Sequence, residues 1–260
     1  MDATYQKQFQ IRSYEIDSRG KIKLATILNY LQEIASEHAA RLGASVVDLF
    51  PANLTWGLSR YHLELFDYPS WGESIQINTW PSAMQNLFAL REFEILNEKS
   101  ERLAIATSSW MLLDFKKKQP VRPAEHLHKF PHRTDRVIPD HFESIPAVKK
   151  VDIELPFRVR MSDLDLNQHV NHVSYIEWAL ETMPSDILKK CQPTKLEISF
   201  RGEAFYGDRV LSRTQILDDD EQPSFLHQII SEKGNKELTR LKTRWRELRK
   251  LSDGIGNQPF

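Results

Sequence analysis

The densest grouping of residues able to do chemistry is FRVRMSDLDLNQHVNH, Phe157 to His172. Asp165, Asn167 and His169 occupy alternate positions in it, so an extended chain turns a carboxylate, an amide and an imidazole toward one spot. The apolar spacing that follows predicts a helix. The spot then lies at a helix N-terminus, where unpaired backbone N–H groups stabilise a developing oxyanion. A histidine titrating near neutrality shuttles protons in such a place, which suits attack on an activated carbonyl. A plainer reading is open for each residue taken alone: Asp165 or Asn167 caps the helix and His169 satisfies a backbone carbonyl.

An internal repeat weighs on that choice. At an offset of 148 residues, Phe9 falls on Phe157, Arg12 on Arg160, Asp17 on Asp165 and Glu33 on Glu181. Further on the offset becomes 135, aligning Trp71 with Tyr206, Gly72 with Gly207, Thr79 with Thr214 and Trp110 with Trp245. The first copy thus carries about thirteen extra residues between its helix and its next strand. At the positions of Asp165, Asn167 and His169 the first copy has Asp17, Arg19 and Lys21, so a helix start survives there without the amide and the imidazole. By the same comparison Glu203 stands where the first copy has Tyr68, as a further carboxylate expected in an apolar strand environment.

The elements that must position these groups read alike in both copies: a strand, a helix, then a run of strands. Leu24, Ile27, Leu28, Leu31 and Ala35 recur at helical spacing from about Lys21 to Gly43. Val173, Ile176 and Leu180 repeat the stripe as far as Pro184, which with Ser185 and Asp186 marks a fresh turn or helix start. Alternation then takes over at Tyr61, Leu63, Leu65, at Ile75, Ile77, Thr79, and at Leu241, Thr243, Trp245, with turn signals at Asn97 to Glu101 and Glu232 to Asn235. The fold class is α+β, with antiparallel hairpins burying one helix stripe per copy.

This divides the chain into an N-terminal domain of residues 1–130, a linker of 131–150 and a C-terminal domain of 151–260. The prolines from Pro120 to Pro146 mark a segment lying over the surface. His126, His128, His132 and His141 are spaced as metal ligands can be, but without a cysteine nearby or an H-E-x-x-H helix they read as surface histidines. Thirty-five basic residues against thirty-six acidic ones exclude the charge signature of a dedicated nucleic-acid binder. No stretch is apolar enough for stable membrane insertion. G-x-S-x-G, P-loop, G-x-G-x-x-G and C-x-x-C patterns are absent. The N-terminus reads as neither signal nor transit peptide, and with Cys191 the sole cysteine the expected setting is a reducing cytoplasm.

With IRSYEID (Ile11 to Asp17), LNYLQE (Leu28 to Glu33), YPSWGE (Tyr68 to Glu73) and above all SDLDLNQHVNHVSYIEW (Ser162 to Trp178), the whole chain resembles the acyl-acyl carrier protein thioesterases, the plant-type fatty acyl group with bacterial relatives. The resemblance implies a tandem double hotdog, with antiparallel sheets each wrapped around a central helix. It implies hydrolysis of fatty acyl-acyl carrier protein to free fatty acid, without cofactor or metal, by an active site at Asp165, Asn167, His169 and Glu203 in the C-terminal copy. Its partner would be acyl carrier protein bearing a phosphopantetheine-linked acyl chain. The chain departs from the family at Ala204, where plant members carry a cysteine, and at His172, where the family has a second Asn. An acyl-CoA thioesterase of the same fold and a non-catalytic acyl-thioester sensor are the alternatives, the sensor being expected to have lost those four residues.

In the mechanism this suggests, Asn167 and helix-start N–H groups hold the carbonyl, Glu203 or Asp165 activates water or attacks directly, and His169 protonates the departing thiolate. The N-terminal copy, free of catalysis, is where an acyl slot is expected, with Trp56, Leu58, Trp80, Phe88 and Trp110 as lining residues. An acidic carrier protein calls for a basic surface. Arg240, Lys242, Arg244 and Arg246 share one face of the last strand, and Lys116 to Lys118 form a shorter patch. The matching face of the first copy, Ile105, Thr107, Ser109 and Met111, is uncharged and is the expected surface for a homodimer.

Overall fold

A computed structural model describes residues 3–127, 131–217 and 221–248. In chain order it contains β1 (Tyr5–Gln10), α1 (Leu24–Arg41), α2 (Val46–Leu49), β2 (Leu54–Leu65), β3 (Ser74–Gln85), β4 (Phe88–Asn97), β5 (Arg102–Asp114), β6 (Gln119–Val121), α3 (Pro123–His126), β7 (Ile153–Arg158), α4 (His172–Glu181), α5 (Ser185–Lys190), β8 (Cys191–Phe200), β9 (Arg209–Leu217), β10 (Ser224–Ser231) and β11 (Glu237–Glu247). Gly43, just past α1, has φ +67, the left-handed conformation that ends helices and that glycine adopts without penalty. Pro184 is the N-cap of α5, the fresh start expected there.

The strands form one antiparallel sheet in the order β1-β3-β4-β5-β2-β8-β11-β10-β9-β7, with β6 added to β5. That order is a palindrome of the repeat. The halves join where β2 pairs with β8, with Arg60 opposite Ser199, His62 opposite Glu197 and Glu64 opposite Lys195. His62 and Glu197 are 135 residues apart, so each faces its own repeat mate and a pseudo-two-fold axis runs between them. Tyr61, Leu63 and Leu65 point from β2 into a core shared by both helices, which contains Leu28, Leu31 and Ile34 of α1 and Tyr175 and Ile176 of α4. Helix α1 has 18 residues against 10 in α4, which accounts for most of the extra length between helix and strand in the first copy.

Two surface expectations change. The intervening segment, residues 131–150, has no helix or strand, yet it is bound along the sheet face opposite the helices as a strap. The Trp80 indole donates to Asp135 O (2.9 Å) with Arg133 over its ring (4.1 Å). Glu92, with 0% exposure, takes Arg136 (3.2 Å) and the Val137 amide (3.3 Å), and Ile138 and Ile145 are buried. The uncharged face expected to support a homodimer lies beneath it: Arg136 donates to Thr107, and Ile105 and Ser109 are buried. Likewise the four cations of β11 are not all open: Arg244 is exposed and Lys242 half-buried, but the other two are engaged. Arg240 is tied to Glu237 (2.8 Å) and to Ile145 O of the strap (2.7 Å), and Arg246 donates to Phe66 O. An alternating pattern identifies a shared face but not what lies over it.

Candidate active site

The segment from Asp165 to His169 is a tight turn, not the extended stretch that alternation implied. Asp165 N donates to His169 O (2.8 Å), Gln168 N donates to Asp165 O (3.0 Å), and Gln168 has φ +62. The Asp165 carboxylate folds back on its own loop, where Oδ1 accepts from Asn167 N (2.8 Å) and His169 N (3.1 Å). Asp17 does the same in the first copy, with Oδ1 accepting from Arg19 N (2.9 Å) and Lys21 N (3.1 Å). This is the Asx-type bonding by which an aspartate shapes a turn. Asp165 and Asn167 do not cap α4, because Asn171 Oδ1 takes the Val173 amide (3.0 Å). Asn167 is exposed at the loop tip, and its side-chain amide has no partner among the described residues.

The turn delivers His169 to Glu203. His169 forms an isolated bridge with Phe205 and stacks edge-on against its ring (5.0 Å). Val170 N donates to Ala204 O (3.0 Å), which fixes the loop carrying Glu203 beside the turn. Imidazole Nδ1 then lies 3.3 Å from Glu203 Oε1, with the two side chains 34% and 57% exposed. Glu203 is therefore an open carboxylate on a loop rather than a group in an apolar strand. The pair can orient an imidazole and move a proton at its Nε2.

In the first copy the same places are filled by structural contacts. Lys21 Nζ donates to Ser70 Oγ (2.9 Å), and Arg19 pairs with Asp17 (2.6 Å) and reaches Cys191 O (3.3 Å). Tyr68 is buried and its hydroxyl donates to Pro193 O (2.8 Å). Lys21 bridges to Ser70 as His169 bridges to Phe205, so the backbone frame is shared and only the side chains differ.

Around the site, burial pushes the His172 imidazole down to about 4, so it is neutral at pH 7. Tyr175 of α4 is 3% exposed, and burial raises its pKa. The sequence singled out Tyr175 only as part of a motif. Cys191 is buried beside Met183, Phe225 and Trp245, and burial pushes its thiol up, as for a packing residue. Leu166 (88% exposed), Phe205 (48%) and Tyr206 (56%) form an apolar rim on the loops carrying His169 and Glu203. Among the described residues no His, Cys, Asp and Glu are grouped to hold a metal ion, and no helix is long and apolar enough to cross a membrane. His128 lies outside the described residues.

Of the five residues expected to line an acyl slot, Leu58 lies directly opposite Trp110 across β2 and β5, with Trp56 next along that face, opposite Leu112. Trp80 serves the strap, and Trp56 packs with Leu49, Leu54 and Leu112 while donating to Ala44 O (2.8 Å). Trp110 and Phe88 are half-buried, and Leu58 packs against the main core.

Residues 2–130 match the family model of the acyl-ACP thioesterase N-terminal domain, and residues 147–247 match that of its C-terminal domain. The chain is 27% identical to a dodecanoyl-[acyl-carrier-protein] hydrolase, chloroplastic, of Cinnamomum camphora, over 96% of this chain and 69% of that one. It is 28% identical to oleoyl-acyl carrier protein thioesterase 1, chloroplastic, of Arabidopsis thaliana, over 94% and 76%. Among solved structures, the 12:0-ACP thioesterase from Umbellularia californica superposes with a TM-score of 0.87 at 25% identity, covering 95% of each chain. An acyl-ACP thioesterase from Bacteroides thetaiotaomicron gives 0.85 at 23% identity over 94% and 98%, a likeness of fold.

Proposed function

The chain belongs to the acyl-ACP thioesterase family, and on that premise we propose that it hydrolyses fatty acyl-acyl carrier protein to free fatty acid and holo-carrier protein. The fold is the tandem double hotdog, and the His169–Glu203 pair is the observation that carries the assignment of roles. Glu203 accepts a hydrogen bond from the Nδ1–H and sets the ring, leaving the Nε2 lone pair for water. As water attacks the thioester carbon, Nε2 takes its proton and the Asn167 amide donates to the carbonyl oxygen as it becomes an oxyanion. Collapse breaks the C–S bond, and Nε2 returns the proton to the departing sulfur. Asp165 holds the loop that presents both Asn167 and His169.

The N-terminal half supplies one wall for the acyl chain in this reading. Support comes from the pseudo-two-fold: Tyr68 and Arg19 bind the carbonyls of Pro193 and Cys191, and the mates of that arrangement are Glu203 and Asn167 against Leu58 and Trp56. The carrier protein docks on the apolar rim of Leu166, Phe205 and Tyr206 that borders the pair. We assign the protein to the cytoplasm, a compartment in which a lone buried thiol such as Cys191 stays reduced.

The test is release of free thiol from carrier-protein and CoA thioesters of graded chain length, with His169→Ala in parallel. Expected is turnover of carrier-bound chains, reduced roughly 10³-fold in the variant. Faster turnover of the CoA esters would reassign the thiol, and binding without turnover would make the protein a sensor.

A further inference from the structure

A cavity of about 550 Å³ lies between the strap and the sheet, on the face opposite the helices and far from any role in the proposed chemistry. Its floor is lined by Arg60 and, one cross-strand row further on, by His62, Glu197 and Lys242, with Asp140 and Glu143 of the strap on the other side. Most charges there are matched. His62 lies between Asp140 of the strap (2.6 Å) and Glu64 (3.4 Å), Lys195 pairs with Glu197 (2.9 Å), and Arg240 and Arg201 share Glu237 (2.8 and 3.4 Å).

Arg60 is the exception. Its Nη1 is buried without a hydrogen-bond partner, and it forms no ion pair among the described residues. Burial, together with the neighbouring Arg201 and Arg240, pushes its pKa down, and Asp140 of the strap offsets only part of that. Lys242, in the next row, also makes no ion pair among the described residues. Above them Phe142 of the strap faces the cavity in a left-handed conformation, φ +53, held by the bond from its amide to Asp140 Oδ1 (2.6 Å). A bulky residue in that region is strained, and such strain gathers where ligands are clamped.

We infer that this cavity binds a small organic anion, with a carboxylate or phosphate head on Arg60 and an apolar body against Phe142 and Ile138. The planar fork of a guanidinium meets either head with two parallel hydrogen bonds, and Lys242 adds a second positive charge. A fatty acid and a phosphate ester share this chemistry.

Titration calorimetry of the full chain with octanoate, and separately with hexyl phosphate, tests the site and tells the two sources apart. The expected result is one saturable site for one of these probes, weakened at least tenfold by Arg60→Gln and unchanged in His169→Ala. The second variant keeps an acyl site at the catalytic pair from being mistaken for this one, so the outcome is independent of the thioesterase reading. Should Arg60→Gln not fold, Lys242→Met must weaken the same site several-fold. Absence of saturable binding for both probes, or affinity unaltered by the substitution that folds, overturns the proposal.

Discussion

The loop from Ile16 to Ile22 and the loop from Leu164 to Val170 are one backbone used twice. Both close with the same isolated bridge, both are stapled by an aspartate accepting from two amides, and both carry a left-handed residue one position before the strand returns, Gly20 at φ +74 and Gln168 at φ +62. What differs is what they present. The first turns Arg19 and Tyr68 into contacts that fasten the halves together and Lys21 into a bond to Ser70 of its own half, while the second leaves Asn167 exposed and pairs His169 with Glu203. Duplication therefore separates scaffold from chemistry: the retained residue builds the loop, and the replaced residues carry the reaction.

The comparison is most exposed to a matched pair at the carboxylate position. Glu203→Gln should cost roughly 10²-fold in kcat with little change in KM, because the imidazole loses its orienting charge. Tyr68→Phe should leave turnover within about two-fold and lower stability by about 1 kcal/mol through loss of the bond to Pro193 O. Equal effects of the two on kcat would break the division of labour.

Acid sharpens it further. Burial lowers the imidazoles of His172 to about 4 and His227 to about 3, whereas their repeat mates, Leu24 and Phe93, do not titrate. Both histidines are neutral when folded and take up protons near 6.5 when unfolded. Their stabilisation is complete above about pH 6.5 and is lost as pH falls toward the folded values, at about 1.4 kcal/mol per pH unit for each group. Between pH 6.5 and 5, hydrogen exchange should accelerate in β9 and β10 before β3 and β4, and His227→Phe, which copies its mate, should reduce the slope of unfolding free energy.

The smallest effect concerns the shared aspartate. Asp165→Ala and Asp17→Ala should each cost about 1 to 2 kcal/mol in denaturant unfolding, since each releases two amides. Only Asp165→Ala should also slow thiol release, because it alone frees the backbone of a reacting histidine. A normal rate in that variant would separate loop shape from catalysis.

The repeat made much of this legible in one dimension. Its two offsets fall on equivalent strands, turns and bridges, because an insertion between helix and strand leaves the registers on either side intact. The retention of Asp17 in a copy without the amide and the imidazole was the available sign that Asp165 is a scaffold residue. Alternation could not reveal it, since period two holds only while the chain is extended, and a carboxylate able to reach its own backbone bends the chain. The strap was out of reach for a different reason: Glu92, Trp80 and Arg240 meet it across 45 to 95 residues of sequence, and no local pattern records such pairings. Glu203 was found by its repeat position, while its exposure depends on where the β8–β9 loop ends.

Joining β2 to β8 hides two strand edges in the middle of the molecule and leaves β1 and β7 as the outer rims of the sheet path. An open rim is a template on which another copy can lengthen the sheet without limit. Here β7 carries Pro156, which offers no N–H, and β1 carries Lys7 at its centre, paired with Glu37. Both rims are six residues long, against 12 and 10 for the strands at the joint. The chain is thereby guarded against stacking into fibrils at the two places where its architecture would otherwise invite polymerisation.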